Sequence, residues 1–292
     1  MAKMSTGFRL TVYPLLWCVS MLPFPVLYLL SDFICFLLYR VVGYRKTVVR
    51  TNLANSFPEK TELERLRIER LFYSHLADMM LETIKGMTIS APELLRRMKL
   101  LNTDVLQSLV DRHRSAIIVM SHCGNWEWVC LAADITSPQN AQCVYKTLSN
   151  ANWDAWFLQV RSRFGTQPHP MEKILRVMAS QKNEVNVTAF IGDQNPSNGQ
   201  NAYWTRFLGQ DTCFMTGSEK IARKLDQAVY YMQVVKVKRG FYECTLSLLC
   251  DESPSSGENE ITEAIVRATE SDIRQQPQHW LWSHRRWKHK RN

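Results

Sequence analysis

Ala116-Ile117-Ile118-Val119-Met120-Ser121-His122-Cys123-Gly124-Asn125-Trp126-Glu127 is the stretch on which the reading of this chain turns. Its first five residues form a strand-like apolar run. His122 and Glu127 then stand five residues apart, and on a continuous α-helix that offset turns a side chain by about 140°, too far for the two to meet easily. They meet if His122 ends the strand, Gly124 turns the chain and Glu127 opens the following helix. A carboxylate on one imidazole nitrogen fixes the tautomer and leaves the other nitrogen free as a base, which suits deprotonation of a hydroxyl nucleophile. The spacing alone carries little weight. With 27 Asp and Glu in 292 residues, roughly half a match is expected by chance. A capping or core histidine beside an incidental glutamate is the plain alternative.

Working outward, strands and helices alternate. The pattern predicts strands at 116–120, 142–146 and 185–191, with helices at 125–134, 151–163 and 171–181 between them. A loop and a helix near 216–225 lead to two consecutive strands, 228–238 and 241–250, around Arg239-Gly240, and a helix at 260–275 follows. Upstream, Thr61-Glu62-Leu63-Glu64 has capping-box form ahead of a helix to about Gly86, and a second helix lies near 104–112. The fold class is therefore α/β: a mostly parallel central sheet with helices on both faces and a late antiparallel hairpin. In such sheets function gathers beyond the carboxyl ends of the strands. His122, Lys146 and Asp193 each follow a candidate strand, although Asp193 is equally at home as a turn residue in Gly192-Asp193-Gln194-Asn195-Pro196.

The N-terminus differs in character. From Leu10 to Tyr39 the only formal charge is Asp32, so a hydrophobic membrane helix precedes the α/β body. Pro23 and Pro25 divide the run into pieces of roughly a dozen to fifteen residues, short of the ~20 that span a bilayer. Asp32 at membrane depth costs about 2.5–3.5 kcal/mol. A kinked, shallow anchor fits better than a perpendicular span, and a cleaved signal peptide fits less well. Arg40, Arg45, Lys46 and Arg50 outweigh Lys3 and Arg9, which puts the downstream domain on the cytoplasmic side. The expected division is an anchor at 1–44 and a catalytic domain at 45–292.

The net charge of +9, from 36 Lys and Arg against 27 Asp and Glu, favours anionic partners. The tail from His284 to Arg291 interleaves cations with tryptophan. It suits lipid phosphates at an interface, with nucleic acid as the rival and no nucleic-acid module to support it. Arg285, Arg286 and Lys288 are expected on an anionic head group or the bilayer, with Lys146 and Arg163 nearer the chemistry; a structural role for the tail arginines is the alternative. Eight cysteines without a Cys-x-x-Cys pair suggest reduced thiols and no metal framework. A Cys123–His122 thiol couple is a weaker reading, because neighbours in sequence rarely converge in space.

Ser121-His122-Cys123-Gly124-Asn125-Trp126-Glu127 resembles the active-site block of the bacterial lipid A late acyltransferases, a branch of the acyltransferases that share a His-x4-Asp/Glu motif. Arg50-Thr51-Asn52-Leu53 with Ser56-Phe57-Pro58-Glu59, Gly192-Asp193-Gln194, and Trp204-Thr205-Arg206-Phe207-Leu208-Gly209 resemble further blocks of that family, in order. His279-Trp280-Leu281-Trp282-Ser283-His284-Arg285-Arg286-Trp287-Lys288 resembles its C-terminal signature. Lys146 departs from the family's arginine and offers phosphate or carboxylate a point charge in place of a planar, two-pronged fork.

The resemblance implies transfer of a fatty acyl group, from acyl carrier protein or acyl-CoA, to a hydroxyl of a lipid A precursor at the cytoplasmic face of the cell inner membrane. His122 would be the general base, oriented by Glu127. Asn125, Lys146, Arg163, Asp193, Gln194, Arg285 and Arg286 would bind substrate, with no cofactor, no metal and no nucleic acid involved. Two other readings stand beside it: acylation of a lysophospholipid, aminolipid or glycolipid, and a non-catalytic lipid-binding membrane protein. Metal-assisted hydrolysis through His122 and Glu127 lacks a second histidine at ligand spacing.

Overall fold

The computed structural model describes residues 4–196 and 202–291; Lys3, counted above among the flanking charges, lies outside them. Three helices open the chain, α1 (Thr6–Leu10), α2 (Val12–Met21) and α3 (Phe24–Phe36). The chain breaks at Leu22-Pro23, as expected, but Pro25 falls in the first turn of α3, where a missing N–H costs nothing. A π-helical turn at Leu37–Val41 then prolongs α3. Phe24–Val41 thus forms an unbroken helix of 18 residues, longer than the proline spacing suggested. Among the described residues it is the one helix long and apolar enough to cross a membrane.

Helices α4 (Lys46–Ser56) and α5 (Glu62–Lys85) follow, the second opened by the expected capping box in which Thr61 and Glu64 bond reciprocally. Polar contacts hold α3 against α5. Tyr28 donates to Glu82 (2.9 Å) and Ser31 to Asp78 (2.7 Å), both carboxylates being buried. Asp32 is not left alone: Arg239 pairs with it at 2.6 Å and with Asp78 at 2.7 Å.

The body continues through α6 (Ala91–Arg97), β1 (Met98–Leu100), α7 (Asp104–Asp111), β2 (Ala116–Met120), α8 (Trp126–Thr136), β3 (Asn140–Tyr145) and α9 (Ala151–Arg161). Then come β4 (Gln167–Pro170), α10 (Ile174–Ser180), β5 (Asn186–Ile191), β6 (Tyr203–Phe207), β7 (Gln210–Phe214), α11 (Gly217–Leu225), β8 (Ala228–Lys238), β9 (Phe241–Cys250) and α12 (Glu260–Gln275). Seven strands form one sheet in the order β1-β9-β8-β2-β5-β3-β4. The five from β8 to β4 run parallel, and β9 turns back antiparallel to β8, as the sequence pattern predicts.

Strand β2 shows why its sequence is apolar without alternation. Ala116, Ile118 and Met120 join the core beneath α7 and α8, while Ile117 and Val119 join the opposite core with Ile174, Ile221 and Ile265. Both faces of the sheet are therefore covered, which is the condition a parallel sheet requires. Strands β1 and β4 and the β6–β7 hairpin were not predicted. Strand β4 reads Gln-Pro-His-Pro and survives because it lies at the sheet edge, where proline is tolerated. The hairpin turns at Leu208-Gly209, both with positive φ, the geometry of a tight two-residue turn.

Candidate active site

The three predicted strand ends converge. Strands β2, β5 and β3 are neighbours, so His122, Asp193 and Lys146 come off the same edge of the sheet. His122 sits in a tightly held loop. Gly124 has φ +63°, and a Cβ there would lie 2.7 Å from Val234, so only glycine fits. Its N–H donates to the His279 carbonyl (3.1 Å), and its own carbonyl faces His75 Nε2 at 3.2 Å. Asn125 then caps α8.

Asp193 is the carboxylate on His122. Its Oδ1 lies 2.5 Å from His122 Nδ1, and its Oδ2 accepts from the His122 backbone N–H at 2.9 Å. The Trp280 indole donates to Oδ2 at 2.6 Å. Burial alone would push the Asp193 carboxyl up, but the His122 ring, these N–H donors and Trp280 together hold it down to about 2. A carboxylate kept charged in this position fixes the proton on Nδ1 and leaves Nε2 as an acceptor. Gln194 Nε2 stands 3.1 Å from that atom.

Glu127, expected on His122, is elsewhere. Arg161, at the end of α9, holds it in a two-pronged ion pair at 2.6 and 2.8 Å. The helix-start position is as predicted, but Glu127 faces a guanidinium and the imidazole has a different carboxylate. Burial works against the charge of Arg161, and Glu127 outweighs it, raising the pKa.

His122, Gln194, Glu127 and Arg161 line a cleft of about 520 Å³, with Asp193 behind His122 and outside the lining. Its lining includes the polar side chains of His122, Gln194, Lys146, Arg161, His284 and Lys288 together with apolar Phe157, Leu158, Ile174, Phe190, Met215 and Ile221. A lining that joins several cations and hydrogen-bonding groups to aliphatic and aromatic side chains suits a ligand with both a polar group and a hydrocarbon part.

Several expected site residues serve other ends. Asn125 is fully buried; its side chain accepts from the Trp128 N–H (2.9 Å) and donates to Glu82 (2.7 Å), so it has nothing to offer a substrate. Arg163 donates to the carbonyls of Gly86 and Ile89 and borders a different hollow, with Tyr13 and Trp17; Arg161, two residues earlier, is the arginine of the cleft. Arg286 is 1% exposed, donates to the Cys213 carbonyl (2.7 Å) and lies 4.4 Å over the Phe214 ring. Burial lowers its pKa to about 10. It is a structural lock and not a lipid contact, because the β6–β7 hairpin encloses it. Arg285 is exposed, and its carbonyl accepts from Asn195 at 2.6 Å. Burial pushes the Cys123 thiol well up, and Cys123 does not border the cleft.

Sequence reasoning missed Arg161, Trp280 and His284. Burial holds His284 neutral, its pKa down at about 4, and Nε2 lies 3.2 Å from Asn195 Nδ2. Residues in and beside the quoted sequence blocks have a common purpose. Asn52 donates to the carbonyls of Trp282 and His284 (2.9 and 3.0 Å), Arg45 to that of Ser283 (3.0 Å), and Trp287 to Thr212 (2.8 Å). They fasten the tail segment that carries Trp280 to Asp193.

Compared with curated proteins, the chain finds no match. The family model described as bacterial lipid A biosynthesis acyltransferase matches residues 3–289, which takes in the His122 loop, Asp193 and the fastened tail alike. The chain belongs to the bacterial lipid A biosynthesis acyltransferase family.

Proposed function

We propose that the chain moves a fatty acyl group from a thioester, carried by acyl carrier protein or coenzyme A, to a hydroxyl of a lipid A precursor. The observation that carries this reading is the His122 imidazole, bound through Nδ1 to a buried charged Asp193 and lining the cleft. His122 Nε2 takes the hydroxyl proton as the oxygen attacks the thioester carbonyl, Asp193 stabilises the imidazolium, and the imidazolium returns its proton to the departing thiolate. Direct attack needs no covalent enzyme intermediate. Glu127 acts through Arg161, holding that cation in the cleft wall, where with Lys146 and Lys288 it meets the phosphates of donor or acceptor.

Residues 1–44 serve as the membrane anchor of the catalytic domain at 45–292, which works at the cytoplasmic face of the inner membrane. The apolar Phe24–Val41 helix and the cations that follow it support this placement. Lys146 at the cleft keeps a second acceptor in view, a lysophospholipid, aminolipid or glycolipid, because it gives a point charge and not a planar fork. Mass spectrometry of membrane lipids with and without the gene tests both. Loss of one acyl chain from lipid A supports the first reading; unchanged lipid A with another lipid altered moves the assignment to the second.

A further inference from the structure

We propose that Gln194 caps the catalytic base at rest and becomes the donor to the oxyanion once the acceptor hydroxyl enters; this rests on the general-base reading of His122. With the Nδ1 proton committed to Asp193, His122 Nε2 is an acceptor, so the Gln194 amide 3.1 Å away must present its N–H to it. The lone pair that has to receive a hydroxyl proton is therefore already in use. A hydroxyl reaches Nε2 only by displacing the amide.

The backbone around Gln194 is pinned on both sides. Asp193 on one side is buried and takes three N–H donors. Asn195 on the other side donates to the Arg285 carbonyl (2.6 Å) and accepts from Arg286 (3.0 Å). Gln194 itself is half-buried and borders the cleft. A side chain on a pinned backbone swings without moving far, so the displaced N–H stays beside the attacking oxygen. The acceptor's O–H bond breaks, with its proton going to Nε2, and a C–O bond forms to the thioester carbonyl. The carbonyl π pair moves onto oxygen, where the Gln194 amide donates to it. Collapse of this intermediate expels the thiolate, which takes the proton back from His122. Such donors act where charge develops and contribute mainly to kcat.

The test is Gln194→Met, similar in length but without an N–H, assayed on the full chain with an acyl-carrier-protein thioester and a purified lipid A precursor. Expected are an unchanged melting temperature and a kcat reduced about 10²–10³-fold with donor KM nearly constant. A kcat within about threefold of the parent overturns the proposal. His122→Ala run alongside separates the two readings. Transfer retained in His122→Ala overturns both, whereas transfer lost there with normal kcat in Gln194→Met overturns the role of Gln194 alone.

Discussion

Trp280 reaches back 87 positions to place its indole N–H 2.6 Å from Oδ2 of Asp193, so the C-terminal segment completes the environment of the carboxylate on His122. The Trp280 ring is 2% exposed and packs edge-on against Trp282, its centroid 4.7 Å away. Position and charge of Asp193 therefore depend on a side chain that does not itself border the cleft.

Trp280→Phe keeps most of the packing and removes the donor. Leaving a charged acceptor short of one partner costs about 1–3 kcal/mol. A lower melting temperature and a kcat reduced about 10–100-fold are expected from thermal unfolding and steady-state transfer on the same preparation. A fall in melting temperature with unaltered kcat would confine Trp280 to packing.

Asp193→Asn and Glu127→Gln distinguish the two carboxylates. Asp193→Asn disturbs the tautomer and the support of the imidazolium, and should lower kcat about 10²–10⁴-fold. Glu127→Gln loosens Arg161 and should act chiefly on KM for a phosphorylated substrate. An inverted ranking, with Glu127 governing kcat and Asp193 nearly silent, would return the orienting role to Glu127.

Arg285 and Arg286 should part company. Arg286→Ala opens a hole lined by Phe214 and strands the Cys213 carbonyl, at about 2–4 kcal/mol. Arg285→Ala is expected within about 0.5 kcal/mol of the parent, as for an exposed side chain. Chemical denaturation of the two single variants checks the contrast.

Asp272 sets a pH dependence of known sign. Burial raises its carboxyl from 3.8 to about 6, where it accepts from the Tyr231 hydroxyl at 3.0 Å. A raised carboxyl favours the fold while protonated: that contribution is complete below 3.8 and is lost as pH rises through 6. Asp272→Asn should remain without charge and flatten the stability profile over that interval, by about 2–3 kcal/mol at most. An unchanged slope between pH 4 and 6 in unfolding titrations counts against it.

Much of the frame was legible because strand β2 is an uninterrupted apolar run, the β8–β9 pair is rich in apolar and β-branched residues, and Arg239-Gly240 punctuates the hairpin. Their ends could be placed from local pattern alone. Strand β4 was hidden by its two prolines, tolerated only at an edge that no local rule reveals. The site was half legible for the same reason. His122, Lys146 and Asp193 each follow an apolar run, so their shared edge could be inferred. The pairing of His122 with Asp193 spans 71 positions and leaves no periodicity. The five-residue step to Glu127 offered a nearer carboxylate and drew the assignment to it. Arg286 misled through composition: it sits in a basic tail, yet the hairpin that buries it was not foreseen.

Glu82 accepts from Tyr28 on the apolar N-terminal helix and from Asn125, the cap of the helix that follows His122. One carboxylate thus ties the apolar N-terminal helix and the His122 loop to the same rung of α5. With α3 in the membrane, as proposed, the base has a set height above the lipid surface. The enzyme then works as a depth gauge: a hydroxyl is offered to His122 by its elevation along the membrane normal before the shape of its head group is tested.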